Sequence, residues 1–389
     1  MKKIILRTFF ICIFAHLQIF SFAQSRLRIS LLTCTPGEEL NETFGHSAIR
    51  VIDSNSVTDH VYNYGTFNFE DKNFYIKFIK GKLRYFVNID QFQEFAFFYQ
   101  QYNRGITEQV LNLSAQEKQN IYHALIENAK EENKYYQYDF FLDNCTTRLR
   151  DIIKKYHNPT PALPAVMPTN YTFRNAIHQY LDDNNQYWSK LGIDILLGAR
   201  TDAIMTTEQQ EFLPDNLMHA LDSATNTKVV STSQQLYIFN STKNKSSFFT
   251  PLFLSSIILL FFVILNLFKN NFGKKLMKFF DAFLFLIVGA LGILLIFMWV
   301  GTDHIMTKNN YNLLWASPLF FVYAFILNKK SKQAKKISLF VCIYLLLVLC
   351  CWFFLPQLMN NGLLPIVVLL TWRSFSNSRE HEVKEVSQK

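Results

Sequence analysis

The chain has 389 residues, a formal net charge of +9, six cysteines and a half-hydrophobic composition rich in aromatics. That length holds one sizeable soluble domain plus a membrane part. Much of the basic excess sits in short clusters beside apolar runs, where it signals membrane topology, so the charge is not read as nucleic-acid binding.

Residues 1–23 read as a signal peptide. Lys2, Lys3 and Arg7 form a basic start, an apolar core follows, and Ser21-Phe-Ala23 is a small-x-small cleavage site. No cysteine stands at the junction, so the protein is not expected to be a lipoprotein itself. Residues 24–246 are expected to form an exported α+β domain. Residues 27–33 alternate like a strand, and Pro36-Gly37 breaks them before an acidic loop with Glu38, Glu39 and Glu42. Residues 45–52 form the next strand, with His46, Ala48, Arg50 and Ile52 on one face. A turn at 53–56 returns the chain as a partner strand at 60–67. Further along, 83–89 reads as a strand, 90–102 as an aromatic-rich helix and 107–113 as a short strand. Ser114-Ala-Gln-Glu117 has the capping-box pattern ahead of helical periodicity over 117–133. A helix-like segment over 146–156 follows Cys145. Four prolines between 159 and 168 mark an extended connector. Helices are then expected at 171–181, 187–197 and 206–223, a strand at 229–239 and a polar linker at 240–245.

The composition changes after residue 247. Apolar runs occupy about 250–268, 279–300, 311–328, 337–355 and 362–372, and the first four are long enough to cross a bilayer. Residues 247–373 are therefore expected to form a membrane domain of about five helices, with a polar tail over 374–389. Lysine clusters at 269–278 and 329–336 place those turns in the cytoplasm. The exported domain and the loop 301–312 then share the outer side. A fifth span would put the tail inside; without it, the tail lies outside.

Two motifs suggest chemistry. Asp143-Asn-Cys145 opens a helix, and a thiol at a helix N-terminus is acidified by the exposed N–H groups and the dipole. Gly45-His-Ser47 puts His46 on a strand. A Cys–His couple can run acyl transfer through a thioester, with water or an amine as the second nucleophile. Asn63 on the returning strand is the candidate that orients His46, with Tyr64, Glu39 and Glu42 as rivals. Asn144 is either an oxyanion donor or a cap. Asp303 and His304, at the outer mouth of the second span, are candidates for binding a lipid headgroup or closing over Cys145. Cys34 is the other exported cysteine; paired with Cys145 it would instead suggest a non-enzymatic envelope assembly factor. Phe95, Phe97, Phe98 and Tyr99 read as core packing ahead of membrane contact. No HExxH, paired CxxC or glycine-rich phosphate loop is present, so no metal or cofactor is expected.

The order His-then-Cys, with Gly-His on a strand and Asn-Cys at a helix start, resembles the permuted papain-like group that includes the lecithin:retinol acyltransferase relatives. A wider resemblance covers most of the chain. It rests on Phe44-Gly-His-Ser-Ala-Ile-Arg-Val51, Val61-Tyr-Asn-Tyr-Gly65, Asp143-Asn-Cys-Thr-Thr-Arg148, Asp194-Ile-Leu-Leu-Gly198, Phe212-Leu-Pro214, Thr302-Asp-His304 and Asn312-Leu-Leu-Trp315. These segments resemble the Lnb family of inner-membrane lipoprotein N-acyltransferases with a periplasmic N-terminal domain. The resemblance implies transfer of a fatty acyl chain to the α-amino group of a diacylated apolipoprotein and leaves the acyl donor and the third catalytic residue open; a phospholipid is the expected donor, because its ester supplies the acyl group without ATP. It carries the nucleophile onto Cys145 and the base onto His46. Read from the residues alone, a membrane-anchored periplasmic cysteine peptidase or amidase acting on cell wall is the alternative.

Overall fold

The computed structural model describes residues 26–238, 248–327, 329 and 331–379. The expected signal peptide, the linker 240–245 and tail residues 380–389 lie outside the described residues. The N-terminal domain is built on a seven-stranded sheet. Its first half runs β1 (Leu27–Cys34), β2 (His46–Asp53), β3 (Thr58–Thr66), α1 (Phe74–Ile79), β4 (Arg84–Gln91), α2 (Phe92–Gln101) and β5 (Ile106–Leu111). Then come α3 (Ala115–Ala129), β6 (Tyr135–Gln137), α4 (Cys145–Tyr156), α5 (Phe173–Asp183), α6 (Tyr187–Leu196), α7 (Thr207–Gln210), α8 (Pro214–Asp222) and β7 (Val230–Tyr237). The strands are antiparallel in the order β6-β4-β3-β2-β1-β5-β7.

Two-residue alternation divides the core between the faces of the sheet. Ile29, Leu31, Ile49, Val51 and Tyr62 pack under α3, α4 and α8, whereas Leu32, Cys34, Ala48 and Val61 pack under α2. Because both faces are covered, the inner strands are buried almost throughout. The capping box at Ser114 forms as expected, and α3 starts directly after it. Asp90 and Gln91 stay in β4, so the aromatic helix starts two residues later than its periodicity suggests. The expected single helix over 206–223 is instead two. Pro214 cannot donate the backbone hydrogen bond an unbroken helix needs, and it sits at the first turn of α8, with Leu213 extended before it.

The C-terminal domain is helical: α9 (Pro251–Leu265), α10 (Asn271–Val300), α11 (Leu319–Ile326), α12 (Lys332–Cys351) and α13 (Leu364–Arg379). α10 and α12 are each long and apolar enough to cross a membrane, and α9 is a shorter apolar helix. The third apolar run does not form one span-length helix. Residues Tyr311–Leu314 make a tight 3-10 turn, and the helix begins only after Pro318. α13 is tied into the bundle by an ion pair between Arg373 and Asp281 of α10 at 2.7 Å, both 1 % exposed. A buried pair of this kind persists because each charge is the other's partner.

The outer loops of the bundle clasp the N-terminal domain. Gly198 N–H donates to Met306 O at 2.8 Å, and Asn312 Nδ2 donates to Asp194 O at 2.8 Å. From the second outer loop, Asn360 Nδ2 donates to Asp194 Oδ2 at 2.8 Å, and Leu358 N–H to Asp202 Oδ1 at 3.2 Å. Arg174, fully buried, links these carboxylates. It donates to Asp194 at 2.7 Å, to Asp202 at 3.0 Å and to Thr201 Oγ1 at 2.7 Å. The lysine-rich turns lie at the other ends of the same helices, so the two domains meet on the outer side.

Candidate active site

Cys145 is the first residue of α4, and the local sequence holds it there. Asn144 caps the helix, its Oδ1 accepting from Thr146 N–H at 2.8 Å and Thr147 N–H at 2.9 Å. Its amide donates to Phe140 O at 2.8 Å and Phe212 O at 2.9 Å. An amide nitrogen has two hydrogens, and both are used. The Asn144 side chain is therefore a cap that stitches two loops together. Of the two roles expected for it, oxyanion donor or cap, it takes the cap; among the described residues the Cys145 N–H has no acceptor.

His46 opens β2 directly after Gly45. Gly45 has φ +74, and a side-chain carbon there would stand 2.7 Å from Cys34 O, so both conformation and space call for glycine. His46 and Asn63 come from the α2 face of the sheet and Cys145 from the α4 face. They meet at the end of the sheet beside Gly65, whose absent side chain would stand 3.6 Å from the Cys145 Cβ. A hydrogen bond from Thr146 Oγ1 to Ser47 Oγ at 3.1 Å fastens the start of α4 to β2 at this point.

His46 Nε2 lies 2.6 Å from Asn63 Oδ1. Since Asn63 offers an acceptor, Nε2 carries the proton and the other ring nitrogen is left for the thiol. Of the four candidates for orienting His46, only Asn63 touches it. Tyr64 OH accepts from Asn128 in the opposite core, Glu42 pairs with Arg104 at 3.0 Å, and Glu39 starts a 3-10 turn. Asn63 is in turn held by Asp90, to which its Nδ2 donates at 3.3 Å.

Electrostatics separate the two exported thiols. Burial pushes the Cys145 thiol up, but the charge and hydrogen bond of His46, with the Ser47 backbone N–H and Thr146, outweigh it and bring it down to about 7. For His46, burial works against the charged form, yet the thiolate and the Asn63 hydrogen bond hold the imidazole above its usual value. Cys34, pushed up to about 12 by burial, is a core thiol, and both cysteines are free.

These residues line a pocket of about 480 Å³, within the roughly 300–1,000 Å³ of small-molecule sites. Its walls are aromatic, with Phe44, Phe78, Phe98, Tyr138 and Phe140 among them, and Arg104 is its buried cation. The α2 aromatics divide: Phe95 and Tyr99 are buried, whereas Phe97 and Phe98 are exposed, Phe98 on the pocket wall. Met306 of the first outer loop packs into the aromatic cluster of Phe141, Phe173 and Phe212 beneath the pocket. Asp303 and His304 do not line it. Asp303 N–H donates to Lys80 O at 2.9 Å, and the His304 ring bonds Phe78 O at 3.1 Å, so this loop supports α1.

Ser47, Thr146 and Asp90 were missed by sequence reasoning. Ser47 and Thr146 directly follow the two motif residues, which is a usable signal. Asp90 reaches Asn63 through the β3–β4 pairing, and nothing local announces it.

Residues 15–179 match the Lnb N-terminal periplasmic domain, and residues 243–384 match the Lnb transmembrane domain. No curated protein and no solved structure matches the chain.

Proposed function

The chain belongs to the Lnb family, an inner-membrane, multi-pass protein with its N-terminal domain in the periplasm, and from that premise we propose that it is a lipoprotein N-acyltransferase working through a Cys145 thioester. Family membership supports a lipoprotein-processing acyltransferase role. The observation that carries the finer reading is the acidified Cys145 beside His46, in an aromatic pocket resting on the outer loop of the membrane domain.

In the first half-reaction the Cys145 thiolate attacks the ester carbonyl of a phospholipid. The Cys145 N–H stabilises the oxyanion as it forms. Collapse breaks the ester bond, and the His46 imidazolium gives its proton to the departing lysophospholipid alkoxide, leaving an acyl-thioester. In the second, the α-amine of a diacylated apolipoprotein attacks the thioester carbonyl. With a pKa of about 8, an appreciable fraction of that amine is neutral near pH 7. His46 takes its proton, the amide forms, and the thiolate leaves to restore the starting pair. Asn63 keeps the imidazole oriented through both steps, and Asp90 positions Asn63.

The same reading makes the periplasmic domain a permuted papain-like fold, with the cysteine helix packed on an antiparallel sheet that carries the histidine. It takes the five C-terminal helices as the membrane domain, with the tail after α13 in the cytoplasm. The apolar walls and the contact with the membrane domain favour lipid substrates over cell-wall fragments.

The test is mass spectrometry of a diacylglyceryl lipopeptide incubated with the full chain in phospholipid vesicles. A gain of one acyl chain on the N-terminal amine, absent with Cys145→Ala, is expected. An intact peptide and intact phospholipid would overturn the reading in favour of a wall hydrolase.

A further inference from the structure

α1 is a short helix between β3 and β4 that gives Phe78 to the pocket wall and whose other side chains take no part in the proposed chemistry. Phe74 faces inward, but Tyr75, Ile76, Phe78 and Ile79 are exposed, Tyr75 at 75 %, and Phe69 just ahead of them is 69 % exposed. A soluble domain seldom leaves so many large apolar side chains together in water. The position of this patch is set by the membrane domain. Only three residues after the end of α10, Asp303 N–H donates to Lys80 O at 2.9 Å, and the His304 ring bonds Phe78 O at 3.1 Å. Gly81 allows the approach, since a side-chain carbon there would lie 3.2 Å from His304 N. These contacts hold the C-terminal end of α1 beside the outer end of α10, a helix long and apolar enough to cross a membrane.

The charges around the patch match a lipid surface. Lys72 just before α1, and Lys80 and Lys82 just after it, are exposed. Between α1 and β4 lies a cleft of about 680 Å³ lined by Lys77, Lys82 and Arg84, with one carboxylate, Asp71, paired to Lys77 at 2.6 Å. Apolar side chains flanked by basic ones are the signature of an element lying in the plane of the bilayer surface. Phe78 is half-exposed on this face and also lines the Cys145 pocket, as do Leu40 and Phe98, both partly exposed.

We propose that α1 is an in-plane membrane anchor: Tyr75, Ile76 and Ile79 sit among the acyl chains of outer-leaflet phospholipids, the lysines meet their phosphates, and the Cys145 pocket opens sideways into that leaflet past Phe78. The anchoring stands on the geometry of α1 alone. The delivery of an acyl chain past Phe78 rests on the acyltransferase reading.

The experiment uses the full chain in vesicles of phosphatidylethanolamine and phosphatidylglycerol. A photo-crosslinking phenylalanine replaces Ile76 or Ile79 singly, or Val57 in the exposed β2–β3 turn as control. Lipid adducts are expected from positions 76 and 79 and not from 57; absence of adducts at 76 and 79 overturns the anchor. For delivery, Tyr75→Glu/Ile76→Glu/Ile79→Glu is assayed with a bilayer phospholipid and with a short-chain phospholipid dissolved as monomer. The loss on the bilayer donor is expected to exceed that on the monomeric donor by about tenfold, while the alkylation rate of Cys145 reports that the domain is folded. An equal loss on both donors overturns the lateral opening. A wild-type protein inactive on both donors would sink the acyltransferase reading and leave the crosslinking to decide the anchor.

Discussion

The His46–Asn63 contact gives the sharpest quantitative test of the site. Asn63→Ala removes the acceptor 2.6 Å from Nε2, on a ring that is partly buried and cationic when Cys145 is a thiolate. Nε2 donates to Asn63 in both states of the ring, with a bond that contributes about 1.5–3 kcal/mol when the ring is charged and about 0.5–1.5 when it is neutral, and a difference of about 1.36 kcal/mol between the two states is one pKa unit. Loss of this bond disfavours the imidazolium, so the His46 pKa falls and the thiolate loses part of the charge that stabilises it. The Cys145 thiol, at about 7 in the wild type, is then expected to titrate about one unit higher. The assay is alkylation of the full chain by iodoacetamide across pH, with modification at Cys145 followed by peptide mass spectrometry. The midpoint of the pH profile is the readout. The rate at one pH is a poorer one, because a less stabilised thiolate is also a better nucleophile. A midpoint that stays at the wild-type value in a folded Asn63→Ala protein would refute the assignment of Asn63 as the group that sustains the ion pair.

The remaining predictions follow from the same geometry. Cys145→Ala and His46→Ala should each abolish acyl transfer to the lipopeptide while membrane insertion persists; retained transfer in either removes that residue from the mechanism. Cys34, held near 12 by burial, should resist alkylation at neutral pH, and Cys34→Ser should leave transfer almost unchanged in the same mass-spectrometric assay. Arg174→Met takes the guanidinium from Asp194, which keeps His178 at 2.7 Å, and from the partly buried Asp202, so thermal unfolding should show a loss of about 3 kcal/mol, the low end for breaking a buried pair. Asp303 holds α1 through its backbone and His304 through its side chain; Asp303→Ala should therefore leave proteolysis at residues 72–82 unchanged, whereas His304→Ala should accelerate it.

Several features were readable because they depend on neighbours in the chain. The Ser114 capping box, the strand alternation of β1 and β2, and the position of Cys145 at a helix start each need only a few consecutive residues. Pro214 was equally visible, and its break in the 206–223 helix follows from proline chemistry that an apolar period over the same residues concealed. The third apolar run shows the converse. Its composition suits a membrane span, but the outer-loop turn at Tyr311–Leu314 and the restart after Pro318 depend on the N-terminal domain above it. There Asn312 has turned to bond the backbone of Asp194. The segments Asp194–Gly198 and Asn312–Trp315 carried the family resemblance with no chemistry attached. In the fold they are the joint that seats one domain on the other.

The sequence by itself determined the two-part organisation, the membrane orientation and the two motif residues. Apolar length, flanking lysines and helix-start chemistry act locally and survive without a fold. Only the tertiary structure decided that Cys145 and His46 meet, although they are about a hundred positions apart and rise from opposite faces of one sheet. The same is true of the Ser47–Thr146 bond that fastens them, of Asp90 behind Asn63, and of α1 against the end of α10. Each is a contact between segments whose separation along the chain carries no information about distance in space. The cost of closing such long loops is met by burying the sheet on both faces, and no single motif encodes that.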